Sequence, residues 1–222
     1  MERKISFSEG EYYHIYNRGV NKDIIFENDH DRKHFIRLLF VSNSDKAVRF
    51  SEIKFKPFPF IDRGKSLVSI GSYCLMPNHF HLLVKEIKDG GISSFMTKLT
   101  TGYSMYFNKI HGRVGPLFQS RFKASHADSD NYLKYLFAYI HLNPVKLIEP
   151  EWKEKGISNK IAAENYLKNY HYSSYEDYMG SEREENLILS KKDFPEYFDS
   201  AHDFKDFITD WLTYSDDDSL QG

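Results

Sequence analysis

Apolar residues in the first two-thirds of the chain recur now at every second position and now at helical spacing, which predicts strands interleaved with helices. Residues 12–17 read as a strand and 29–40 as a helix, while 48–60 is irregular, broken by Pro57 and Pro59. Residues 67–74 and 79–85 read as paired strands joined by a turn at Met76-Pro77-Asn78. A helix follows over 93–110, with Gly112 placed to supply a left-handed cap, then a strand over 118–127. In 130–143, Leu133, Leu136, Phe137 and Ile140 fall on one helical stripe, with Ser129 or Asp130 as the cap. Pro144 disfavours helical geometry at the residue before it, so this helix should stop near Asn143. Strands that return with helices between them, without strict βαβ crossovers, imply an α+β class: an antiparallel sheet with helices packed on it.

Charge divides the chain. The 222 residues carry a net charge of −2, which hides two opposite parts. Residues 1–147 hold 22 Lys and Arg against 14 Asp and Glu, a net of +8, whereas 148–222 hold 8 against 18, a net of −10. This asymmetry suggests a nucleic-acid-binding body with an acidic appendage. Glu149-Pro150-Glu151 marks the expected boundary, giving a larger domain over 1–148 and a small acidic C-terminal extension over 149–222. The extension has a helix-like stretch at 161–168 and tyrosines at 172, 175 and 178, read as packing residues. The single cysteine, Cys74, excludes an intrachain disulfide, fits a reducing compartment and reads as a small buried residue. No apolar run approaches the length of a membrane span, so a cytoplasmic protein is expected.

Two segments carry candidate chemistry. His79-Phe80-His81 lies on a predicted strand, where residues two apart share a face, so the two imidazoles lie side by side and form half of a metal site. The alternative is a pair of hydrogen-bonded or exposed histidines. Tyr139 and Asn143 are four apart on a helix and share a face. They pair a nucleophile with an oxygen ligand, or else are a half-buried aromatic and a helix cap. Tyr135, one turn earlier, is a rival nucleophile. His141 falls on another face and reads as packing. His14, His30, His34, His111, His126, His171 and His202 have no motif context and read as structural or exposed. Arg121 and Lys123 alternate onto one face of a predicted strand, and Arg18 follows another; these are the candidate phosphate contacts.

In order along the chain stand Tyr13-His14-Ile15-Tyr16-Asn17-Arg18-Gly19, residues 29–39, Met76-Pro77-Asn78-His79-Phe80-His81-Leu82-Leu83 and Gly115-Pro116-Leu117-Phe118-Gln119-Ser120-Arg121-Phe122-Lys123-Ala124. The Tyr139 helix then closes in His141-Leu142-Asn143-Pro144-Val145. This series resembles the HUH-type single-tyrosine transposases, in the branch of REP-associated tyrosine transposases. Tyr172-Ser173-Ser174-Tyr175 is similar to a short element that many members carry after the catalytic domain. The resemblance implies a ferredoxin-like or RRM-like palm, with Tyr139 rather than Tyr135 as the nucleophile. It implies that His79, His81 and Asn143 hold a divalent cation, and a mixed nitrogen and oxygen donor set without thiolate suits Mg²⁺ or Mn²⁺. The implied activity is cleavage and rejoining of single-stranded or hairpin DNA through a 5′-phosphotyrosine, by a monomer or homodimer. Three competing readings are a replication or conjugation nickase, a non-catalytic nucleic-acid-binding module, and a metal-dependent hydrolase in which Tyr139 merely packs. The acidic extension departs from minimal family members.

Overall fold

Tyr12–Arg18 (β1), Val68–Met76 (β2), His79–Glu86 (β3) and Lys123–His126 (β4) pair antiparallel in the order β2-β3-β1-β4. The computed structural model describes residues 5–47, 50–53 and 55–212. Asp29–Ser42 (α1) and Gly91–Ile110 (α2) pack on one face of the sheet, and Asp130–Leu142 (α3) on the other. The order βαββαβ with β1 and β3 central is the ferredoxin-like α+β palm that the family resemblance implied.

Local chemistry explains the elements. The Asn28 side chain accepts from the Asp31 amide while the Asp31 carboxylate accepts from the Asn28 amide, a reciprocal cap that starts α1. Ser129 does the same one-sidedly for α3 by accepting from the Tyr132 amide. Phe35 and Leu39 of α1 and Phe95, Leu99 and Tyr103 of α2 form one core with Ile15, Phe80, Leu82 and Val84. Leu133, Leu136, Phe137 and Ile140 of α3 form a second core with Cys74, Met76 and Leu83. Every residue of β2 is buried, Cys74 included.

Two boundaries differ from expectation, and two further stretches add detail to it. β2 runs on to Met76, leaving Pro77-Asn78 as a two-residue turn. The fourth strand is confined to Lys123–His126 instead of 118–127. Before it, only a bridge between Gly19 and Phe118 and a bond from the Gln119 amide to the Arg18 carbonyl continue the pairing, and the Asn17 side chain takes the Ser120 carbonyl. Arg121 therefore precedes the strand and does not alternate along it with Lys123. The α3 helix ends at Leu142, near Asn143 as expected, although Asn143 itself keeps helical dihedrals (φ −51°, ψ −39°) and the chain continues as a tight helical turn over Asn143–Leu147. Within 48–60, Phe50–Ile53 and Phe58–Phe60 are short helical turns; Val48, Arg49 and Lys54 lie outside the described residues.

The C-terminal part packs on the palm. The Leu75 amide donates to the Tyr172 carbonyl (2.9 Å), the Ser174 amide to Tyr73 (3.0 Å) and the Ser190 amide to Ile70 (2.9 Å), so this segment covers the outer edge of β2. Lys160–Lys168 (α4) and Ala201–Trp211 (α5) complete a third apolar cluster, in which Leu167, Phe204 and Ile208 meet Ala138, Leu142 and Val145. Tyr175 is buried there, and Tyr172 and Tyr178 are partly buried against the cores, as packing residues. His141 is fully buried between these layers. Its Nδ1–H donates to the Phe137 carbonyl (2.8 Å), leaving Nε2 to accept from the Ser174 hydroxyl (2.7 Å). Burial lowers its pKa to about 3, so it stays neutral. Among the described residues no helix is long and apolar enough to cross a membrane.

The Ser174 oxygen also accepts from the Tyr73 amide (3.0 Å), so Ser174→Ala strips partners from two buried groups at once. Each such loss costs about 1–3 kcal/mol. Urea unfolding should show a lower midpoint with an unchanged slope.

Candidate active site

Period-two alternation builds the floor of a cavity of about 570 Å³. In the β1–β3 register Arg18 lies opposite His79 and Tyr16 opposite His81, and Tyr16 also faces Lys123 on β4. These side chains therefore share the face over which α3 lies. Tyr139 and Asn143 enter the same cavity from the last turn of α3, with Lys146 just beyond. The Tyr139 ring stands edge-on to His81, with centroids 5.4 Å apart, and to His14 at 5.7 Å.

The tautomer of His79 follows from its neighbours. Asn78 Nδ2 donates to the Lys22 carbonyl (3.0 Å), which orients the amide so that Oδ1 faces His79 Nδ1 at 2.6 Å. An amide oxygen only accepts, so Nδ1 carries the proton and Nε2 carries the lone pair. The turn beneath is pinned as well: the Pro77 carbonyl accepts from the Ile25 and Phe26 amides, and the Asn78 carbonyl from Gly19. Burial, then the charges of Arg18 and Lys146, lower the His79 pKa to about 4. His79 is thus neutral at neutral pH, the form that binds metals.

His81 is buried, and its Nδ1 lies 2.8 Å from His14 Nε2. Asn143, also buried, donates from Nδ2 to the Tyr139 carbonyl (2.8 Å). The side chain thus closes the helix as a cap and turns Oδ1 away from that carbonyl, so the two readings of Asn143 are compatible. The half-buried Tyr139 phenol has its pKa raised by burial, with hydrogen bonding from the Asn143 side chain pulling the other way.

Of the seven candidate residues, six line this one cavity: His79, His81, Tyr139, Asn143, Arg18 and Lys123. Arg121 lines a neighbouring groove along α2, which meets the cavity at Asn17 and Ser120. Tyr135 stacks against Tyr139 (5.7 Å, 24°) and borders Trp211 of α5, outside the cavity lining. Motif reasoning passed over His14, Tyr16 and Lys146. His14 and Tyr16 sit at alternate positions of one strand, a signal that was present, and Lys146 lies one turn past Asn143. His14, read as structural or exposed, is buried against His81, the structural of those two readings. Among the described residues no three His, Cys, Asp or Glu side chains gather as a metal site. The donor set at this cavity is two imidazoles and a carboxamide.

No curated protein matches the chain. A solved structure described as "Structure of the REP associates tyrosine transposase bound to a REP hairpin" is similar with a TM-score of 0.49 and 14% identity, over 81% of this chain and 86% of that chain. Residues 62–143 match the family model described as "Transposase IS200 like". That span contains the paired histidines, Tyr139 and Asn143, the residues on which the chain's resemblance to single-tyrosine transposases rests.

Proposed function

We propose that the protein is a DNA transposase that cleaves and rejoins single-stranded or hairpin DNA through Tyr139. The observation that carries this reading is the Tyr139 ring 5.4 Å from His81, in one cavity with His79 and Asn143. The Tyr139 oxygen attacks phosphorus, the bond from phosphorus to the 3′ oxygen breaks, and the departing strand takes a proton as a free 3′ hydroxyl. The 5′ phosphate stays on Tyr139. A second 3′ hydroxyl attacks that phosphotyrosine, restoring the phenol and joining the new strand, so no external energy source is needed.

Anionic phosphate oxygens repel a nucleophile, and the cavity offers positive charge to offset them. Arg18, Lys123 and Lys146 line it. His79 Nε2, His81 Nε2 and Asn143 Oδ1 are the atoms that would hold a divalent cation; imidazole donors favour Mn²⁺ over Mg²⁺. When bound, such an ion supplies Lewis acidity toward a phosphate oxygen. Arg121, in the groove beside the cavity, is assigned to the DNA backbone flanking the scissile phosphate.

Incubated with labelled hairpin-bearing single strands and Mn²⁺, the protein should give a covalent adduct that survives denaturing gels. Tyr139→Phe should give none while still binding DNA. Cleaved ends without an adduct would mark a hydrolase, and binding without cleavage a recognition module. In the metal-free protein, burial should keep the Tyr139 phenol protonated above the ordinary tyrosine value of 10.0. The NMR signal of its labelled Cζ, assigned by loss in Tyr139→Phe, should still report the neutral phenol at pH 10, where an ordinary tyrosine is half ionised.

A further inference from the structure

We propose that His14 is a positioning residue for the cation site: it accepts the Nδ1 proton of His81 and so presents His81 Nε2 to the cavity as a lone pair. The inference rests on the metal reading above and concerns a residue to which the resemblance gave no role. His14 and His81 occupy diagonal positions on adjacent strands, since His14 pairs with Leu83 and His81 with Tyr16. Their rings lie nearly parallel (23°, centroids 5.0 Å apart), and His14 Nε2 is 2.8 Å from His81 Nδ1. Both are buried, at 7% and 5% exposure, and Tyr16 stacks on His14 while Tyr139 stands edge-on to it. Both rings are thus held between aromatic neighbours.

A single hydrogen lies between the two nitrogens, and its owner decides what His81 can do. If His14 donates, a neutral His81 must carry its own proton on Nε2, and that nitrogen cannot bind a cation. If His81 donates from Nδ1, its Nε2 holds a lone pair and His14 keeps its proton on Nδ1. Only the second arrangement makes a ligand. His79 obtains the same result from Asn78, whose amide oxygen takes its Nδ1 proton. The two imidazoles are thus preset by different partners, one adjacent in sequence and one from another strand. Metal-bound histidines commonly hand their second N–H to a carboxylate or carbonyl. An imidazole performs that task without placing negative charge where a phosphate must enter.

The test compares Mn²⁺ binding, by calorimetry on the full chain without DNA, for wild type, His14→Phe and His14→Gln. Phe keeps the ring packing and removes the acceptor, whereas the Gln amide oxygen restores one near the position of Nε2. His14→Phe should lose about 10–100-fold in affinity, with His14→Gln close to wild type. Nitrogen NMR on the metal-free wild type supplies a readout that does not depend on any variant folding: the shared proton should sit on His81 Nδ1. Equal Mn²⁺ affinity in a folded His14→Phe, or a His81 proton found on Nε2, overturns the role of His14. Absence of Mn²⁺ binding by the wild type would instead remove the metal reading itself, and this role with it.

Discussion

A sheet covered on both faces leaves each strand no choice about which residues go where. Phe80, Leu82 and Val84 belong to the core under α1 and α2, so His79, His81 and Leu83 must face α3. The alternation that buries one set delivers the other to the cavity. A slip of one residue in β3 would exchange the two sets completely. The Pro77-Asn78 turn resists that slip through backbone bonds to Gly19, Ile25 and Phe26, and its Asn78 side chain then orients His79. Strand register and imidazole orientation thus share one short segment.

The placement of Tyr139 depends on a second constraint. α3 is held from below by the sheet, through Leu133, Phe137 and Ile140, and from outside by α4 and α5, through Ala138 and Leu142. The buried bond between His141 and Ser174 ties these layers together beside Tyr139. The acidic composition after residue 148 therefore describes a surface, while the apolar contacts run across that point of the chain. Tyr139 and the paired histidines converge within a single chain.

Much of this was readable in the residues. Period two in β3 and the spacing of Tyr139 and Asn143 on α3 follow from local geometry, and both pairs meet as that geometry requires. The stretch 118–127 misled because Leu117 and Phe118 are apolar for the sake of the core, and only four later residues join the ladder. Pro144 marked the end of α3 correctly, though Asn143 itself stays helical, with its side chain bonded back to the Tyr139 carbonyl. His14 could not be paired with His81 from spacing, because a diagonal contact between strands 67 positions apart exists only once register is known.

The covered edge of β2 has a bearing on assembly. With residues 172–174 laid along that border, the sheet ends on its other side at β4, four residues long, with Lys123 and His126 exposed. Short, charged margins make poor templates for adding a strand from another molecule. Such a border disfavours the lateral stacking that open sheets invite.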